Sequence, residues 1–119
     1  MKSHLARRAP GLIAMASILL GAASCSREAP VVAVGSGGSL GNYYATATAI
    51  ARVVNKQQET NGFRLQAIQT EGSVANIEAL LSGELQFGLA QADAVHRAVN
   101  GLDHWAAQGP AAELRAVFS

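Results

Sequence analysis

The sequence predicts an α/β fold: a mainly parallel sheet flanked by helices, in the order βαβαβαβ. Three observations predict it. Apolar runs of strand length alternate with segments of helical period. The passages from the first two strands into their helices are rich in glycine and hydroxyl residues. The helical links are long enough for right-handed crossovers between parallel strands.

Val31-Val32-Ala33-Val34 is a β-branched run closed by glycines, and it sets the first strand near 31–35. In Tyr43 to Gln57, Ala47, Ile50, Ala51 and Val54 recur at three-and-four spacing, which predicts a helix over 42–57. Asn61-Gly62 ends that unit. Phe63 to Thr70 alternates apolar and polar residues, a strand period, over 63–69. Ser73 to Ser82 reads as a second helix with a stripe of Val74, Ile77, Leu80 and Leu81, and Gly83 stands where a C-terminal glycine cap belongs. A third strand is expected at 85–90 and a third helix at 91–100, before Gly101. A polar loop with Gly109-Pro110 then leads to a last strand, Leu114 to Phe118.

The chain has 119 residues, half hydrophobic and 14% charged, enough for one small domain. A disordered chain would have fewer aliphatic residues and a larger net charge. Residues 1–24 carry Lys2, Arg7 and Arg8 and no acid, while the rest has a net charge of −2. A mildly acidic body argues against nucleic acid as a partner. One cysteine excludes an internal disulfide framework and a Cys-based zinc site.

The basic start, the apolar run Gly11 to Ala23 and the small residues after it make residues 1–24 a signal peptide. The run falls short of the ~20 apolar residues of a spanning helix, although an uncut N-terminal anchor is the other reading. The single cysteine follows Leu20-Gly21-Ala22-Ala23-Ser24, which resembles a bacterial lipobox with Cys25 lipidated. Ala22 departs from the usual leucine there. The competing reading is cleavage at Ala22-x-Ser24 and a free thiol. Residues 25–30 form a tether and 31–119 the folded part. The chain stops directly after an apolar strand, so a truncated domain of marginal stability is expected.

In open α/β sheets, ligands bind at the carboxyl ends of the strands. Three polar clusters fall there. The first is Gly35-Ser36-Gly37-Gly38-Ser39, with Tyr43 just beyond. The second is Thr70-Glu71-Gly72-Ser73, with Asn76, and the third is Gln91-Ala92-Asp93. Glycines admit a ligand close to the backbone, and helix starts offer free N–H groups suited to a carboxylate or phosphate. Taken singly, each has a structural reading: a tight turn, Ser73 as an N-cap, Asp93 at a helix dipole.

Other chemistries lack their residues. The dinucleotide fingerprint fails at Leu40, and no P-loop lysine follows the glycines. His96 and His104 are eight residues apart, on a helix and in a loop, and His4 is in the signal. Gly35-Ser36-Gly37 is not a nucleophile elbow.

These segments together resemble the TAXI family of solute-binding subunits of TRAP transporters. The resemblance rests on Val34-Gly35-Ser36-Gly37-Gly38 with Gly41-Asn42-Tyr43-Tyr44, on Ala49 to Asn55, and on Thr70-Glu71-Gly72-Ser73-Val74-Ala75-Asn76-Ile77. It continues through Gly83 to Asp93 and Leu114 to Ser119. Ser36 replaces a usual Thr, Glu71 a usual small residue and Ala92 a usual Ser. The resemblance implies a type II periplasmic binding protein in two lobes, of which this chain holds the N-terminal part of the first and lacks the second. The candidate ligand-binding set, drawn from the loops at the strand ends, is Ser36, Gly37, Gly38, Ser39, Tyr43, Thr70, Gly72, Ser73, Asn76, Gln91 and Asp93. The implied solute is a small anion or zwitterion like glutamate or 2-oxoglutarate, and the implied partners are TRAP permease subunits in the membrane. No cofactor, metal or catalytic residue is required. An ABC-type binding protein of the same fold and an exported enzyme using the glycine-rich loop are the alternatives.

Overall fold

A computed structural model describes residues 28–118. The signal segment and Cys25 lie outside the described residues. Three strands, β1 (Val31–Gly35), β2 (Arg64–Ile68) and β3 (Phe87–Gly88), form one parallel sheet in the order β2-β1-β3. The helices are α1 (Asn42–Asn55), a short α2 (Gln58–Asn61), α3 (Ser73–Leu81) and α4 (Ala92–Val99). The mixed, parallel, helix-flanked architecture is the one the sequence predicts.

The sheet order determines where the helices go. The chain passes from β1 to β2 in one direction, then back across β1 to β3 in the other. Right-handed crossovers in opposite directions place α1 and α3 on opposite faces. The two faces of β1 agree with this. Gly35 faces Asn76 of α3. Val34, one residue earlier and buried, points to the other face by the period of two. The alanines Ala47 and Ala51 bring α1 close to the sheet. Asn55, in its last turn, grips β2 by donating to Leu65 O at 2.9 Å and accepting from Leu65 N–H at 2.7 Å.

The main apolar cluster lies between α3, α4 and the segment that follows. It consists of Ile77, Ala94, Ala98, Trp105 and Ala111. Trp105 stands in a 3₁₀ turn, Asp103–Trp105, and is 2% exposed. Ala111 N–H donates to Ala98 O at 2.9 Å and ties this segment to the end of α4.

Several expectations need correction. Leu114 to Phe118 is not a strand; Val117 and Phe118 are 70% and 69% exposed. A strand there needs a neighbour to pair with, and this segment is bonded to neither edge strand of the sheet. The third strand is shorter than 85–90, since its ladder with β1 covers only Phe87 and Gly88. The first helix stops at Asn55, and Gln58–Asn61 forms a separate turn closed by Gly62. The loop around Trp105 is polar in composition yet holds the largest aromatic of the core. In α3, Ile77 is buried and Leu80 and Leu81 are half-buried, but Val74 is exposed.

Candidate functional site

The carboxyl ends of all three strands share one edge of the sheet, and the loops leaving them are stitched together. Ser36 leaves β1 fully buried. Its N–H and its hydroxyl both donate to Ile68 O of β2, at 3.0 and 2.7 Å. Thr70 N–H reaches Gly37 O at 3.4 Å, joining the first and second loops again. On the other side, Leu89 N–H donates to Gly35 O at 2.9 Å. Beyond that rung no backbone bond joins β1 and β3 among the described residues. The amide of Asn76 takes over and donates to Ser36 O and to Leu89 O, each at 2.7 Å.

Asn76 reaches those carbonyls through a slot made by two glycines that face each other in the ladder, Gly35 and Gly88. A Cβ on Gly35 would lie 2.4 Å from Asn76 Oδ1, and one on Gly88 would lie 3.1 Å from Asn76 Cβ. Both neighbours of the amide are acceptors, so the nitrogen must face them, and the oxygen is left against Gly35 without a donor. This is also the point where the strand order reverses, the usual place of a ligand crevice in open α/β sheets.

The helix starts border the same edge. Gly41, Gly72 and Gln91 are the N-caps of α1, α3 and α4, none with a side-chain cap. Their first-turn N–H groups therefore have no partner within their own helices. Gly72 has φ +101° and ψ −151°, a conformation that side chains avoid. It lets the chain turn from Thr70, whose hydroxyl accepts from Gly72 N–H at 3.2 Å, straight into α3. Ser73 is not the N-cap. Its hydroxyl accepts from Gln91 N–H at 3.0 Å and so joins the second loop to the third.

The eleven candidate residues thus divide. Ser36 and Asn76 are 0% exposed and hold the loops from beneath. Gly37 is buried above them, with Tyr43 of α1 packed alongside. Thr70, Gly72 and Ser73 are half-buried. Gly38, Ser39, Gln91 and Asp93 are exposed at the edge, and nothing occupies the space beside Gly38. Asp93 stands in the first turn of α4 and pairs with Arg97 one turn on. Glu71 is exposed at the same edge, and none of the three loop clusters holds a basic residue. An open cleft of about 490 Å³ lies at the far end of α3, lined by Glu78, Leu81, Trp105 and Ala111 among others. Glu78 there is bonded to His104. Among the described residues no group of three or more His, Cys, Asp or Glu is placed to hold a metal ion. No helix among them is long and apolar enough to cross a membrane.

Residues 34–119 match the profile described as the NMT1-like family. The chain belongs to the NMT1-like family. The match begins inside β1 and takes in all three loops of the edge. The NMT1-like family is of the periplasmic-binding type, and membership assigns an extracytoplasmic solute-binding role in general terms. It implies a small-molecule ligand and a membrane transporter as partner. The stitched edge combines the switch point with three helix starts.

Proposed function

We propose that this protein is a receptor that captures a small organic acid or amino acid of the glutamate or 2-oxoglutarate class and delivers it to a TRAP permease. The observation that carries the reading is the joined edge, where three helix starts border one end of the sheet in a chain of the NMT1-like family. Helix starts supply neutral N–H donors and the positive end of a dipole, enough for a carboxylate without an arginine. Glu71 at the same edge gives an ammonium group a counter-charge, which favours a zwitterion over a simple anion. The TAXI-like motifs support a TRAP permease over an ABC partner. Capture and release need no bond-making step, so the protein acts as a binding protein and not as an enzyme.

Calorimetry of the full protein against glutamate, 2-oxoglutarate and other small acids tests the solute class. Saturable binding is expected for at least one of them, and none for neutral sugars. Binding to no small acid would overturn the reading. The position of Cys25 after small residues supports a lipid anchor. Cys25→Ser is expected to move the exported protein from the membrane fraction to the soluble one; equal partitioning of both forms would refute the anchor.

A further inference from the structure

Asn76 does more than fill a slot. Each of its two N–H bonds ends on a carbonyl just beyond the last rung between β1 and β3, at Ser36 and at Leu89. The described residues contain no cis peptide, and in a trans peptide the N–H points opposite to the C=O. Drawing the Ser36 carbonyl towards α3 therefore turns the Gly37 N–H away from α3. Drawing in the Leu89 carbonyl does the same for the Ala90 N–H. Neither N–H is donated to any acceptor among the described residues. They are two neighbouring donors, aimed by one buried side chain, at the point where the strand order reverses. Buried backbone donors left without a partner are rare and call for one; Gly37 is buried and Ala90 half-buried.

We propose that Asn76 is a positioning residue of the solute crevice, fixing two peptide planes so that the N–H groups of Gly37 and Ala90 receive the oxygens of a carboxylate. The assignment of these donors to a solute rests on the receptor reading above. A carboxylate fits better than a phosphate. Two neutral donors match its two oxygens, and the only charges in the three loops are the acids Glu71 and Asp93, which would repel a doubly charged group more strongly. Ser36 completes the device. By binding Ile68 O twice it pins the near end of the Ser36–Gly37 plane to β2, leaving only the carbonyl end for Asn76 to orient.

Nuclear magnetic resonance of the full protein separates this from a merely structural role. The N–H residual dipolar couplings of Gly37 and Ala90 report the orientation of the two planes. In Asn76→Leu, of similar volume but without donors, these couplings are expected to shrink through averaging while those of β1 and β2 persist. If Asn76→Leu does not fold, the smaller Asn76→Ser serves, with averaging expected at one plane or both. Unchanged couplings at both sites in the folded variant would overturn the proposal. In the natural protein, glutamate is expected to move both amide protons downfield, and Asn76→Leu to weaken its binding by ~tenfold or more. If glutamate or 2-oxoglutarate binds and neither amide responds, the donor assignment is wrong and the receptor reading stands. If neither acid binds, the solute class falls, the donor assignment falls with it, and the couplings alone decide whether Asn76 orients the planes.

Discussion

Strand β1 has two unlike neighbours. Towards β2 it is paired through five residues, from Val31 opposite Arg64 to Gly35 opposite Ile68. Towards β3 it is paired through two, Val34 with Phe87 and Gly35 with Gly88. Side chains extend the short ladder at both ends. Gln86 Oε1 accepts from Ala33 N–H at 3.0 Å below it, and Asn76 bridges two carbonyls above it. The long ladder is made by backbone and the short one largely by side chains. The proposed crevice lies on the side where side chains do the joining, where the strands part after two paired residues.

That contrast can be broken from either side. The largest effect is expected from Gly35→Ala. Its new Cβ would lie 2.4 Å from both Asn76 Oδ1 and Leu85 Cδ1, so the slot closes and the amide is displaced. Overpacking of this kind costs about 3 kcal/mol, and urea unfolding of the full protein measures it; a loss below ~1 kcal/mol would mean that α3 moves away freely. On the other side of the sheet, Asn55→Ala removes two half-buried bonds to Leu65. A loss of about 1–2 kcal/mol is expected, with solute affinity unchanged since β2 keeps its ladder. A drop in affinity would show that the long ladder also depends on side chains. Gln86→Ala is the mildest. The bond is exposed, water can replace the side chain, and about 0.5 kcal/mol is expected. Faster hydrogen exchange at Ala33, with unchanged exchange at Val34, is the accompanying sign.

The same contrast marks what was legible in the sequence. The β1 run, the alternation in β2 and the glycine stop at Gly83, with φ +80°, each express a backbone preference within a short window. Such windows also locate the loops at the strand ends, and the structure brings those loops together. What a window cannot carry is pairing at a distance. Leu114 to Phe118 has the composition of a strand but pairs with neither edge of the sheet, β2 or β3. Trp105 sits among polar residues, and only the approach of Ala94, Ala98 and Ala111 buries it. Ser36, in a loop, and Asn76, in the second turn of α3, are polar residues next to the strand ends, and pattern reading places them facing a ligand. Their burial follows from bonds to Ile68 O, 32 residues away, and to Ser36 O, 40 residues away. Ser73 precedes a helix and looks like a cap, yet it serves the third loop, since Gly72 already occupies the capping position.

The alanine content of the packed interfaces has a thermal consequence. Ala47, Ala51, Ala94, Ala98 and Ala111 make up most of the fully buried apolar positions, beside Val34, Ile77 and Trp105. Alanine loses no rotamer freedom on burial, and it returns little apolar surface to water on unfolding. The heat capacity of unfolding scales with that surface. The folded part should therefore melt with an increment below the usual ~12–15 cal/mol/K per residue, and its stability should change more gently with temperature than that of a leucine-rich core of the same size.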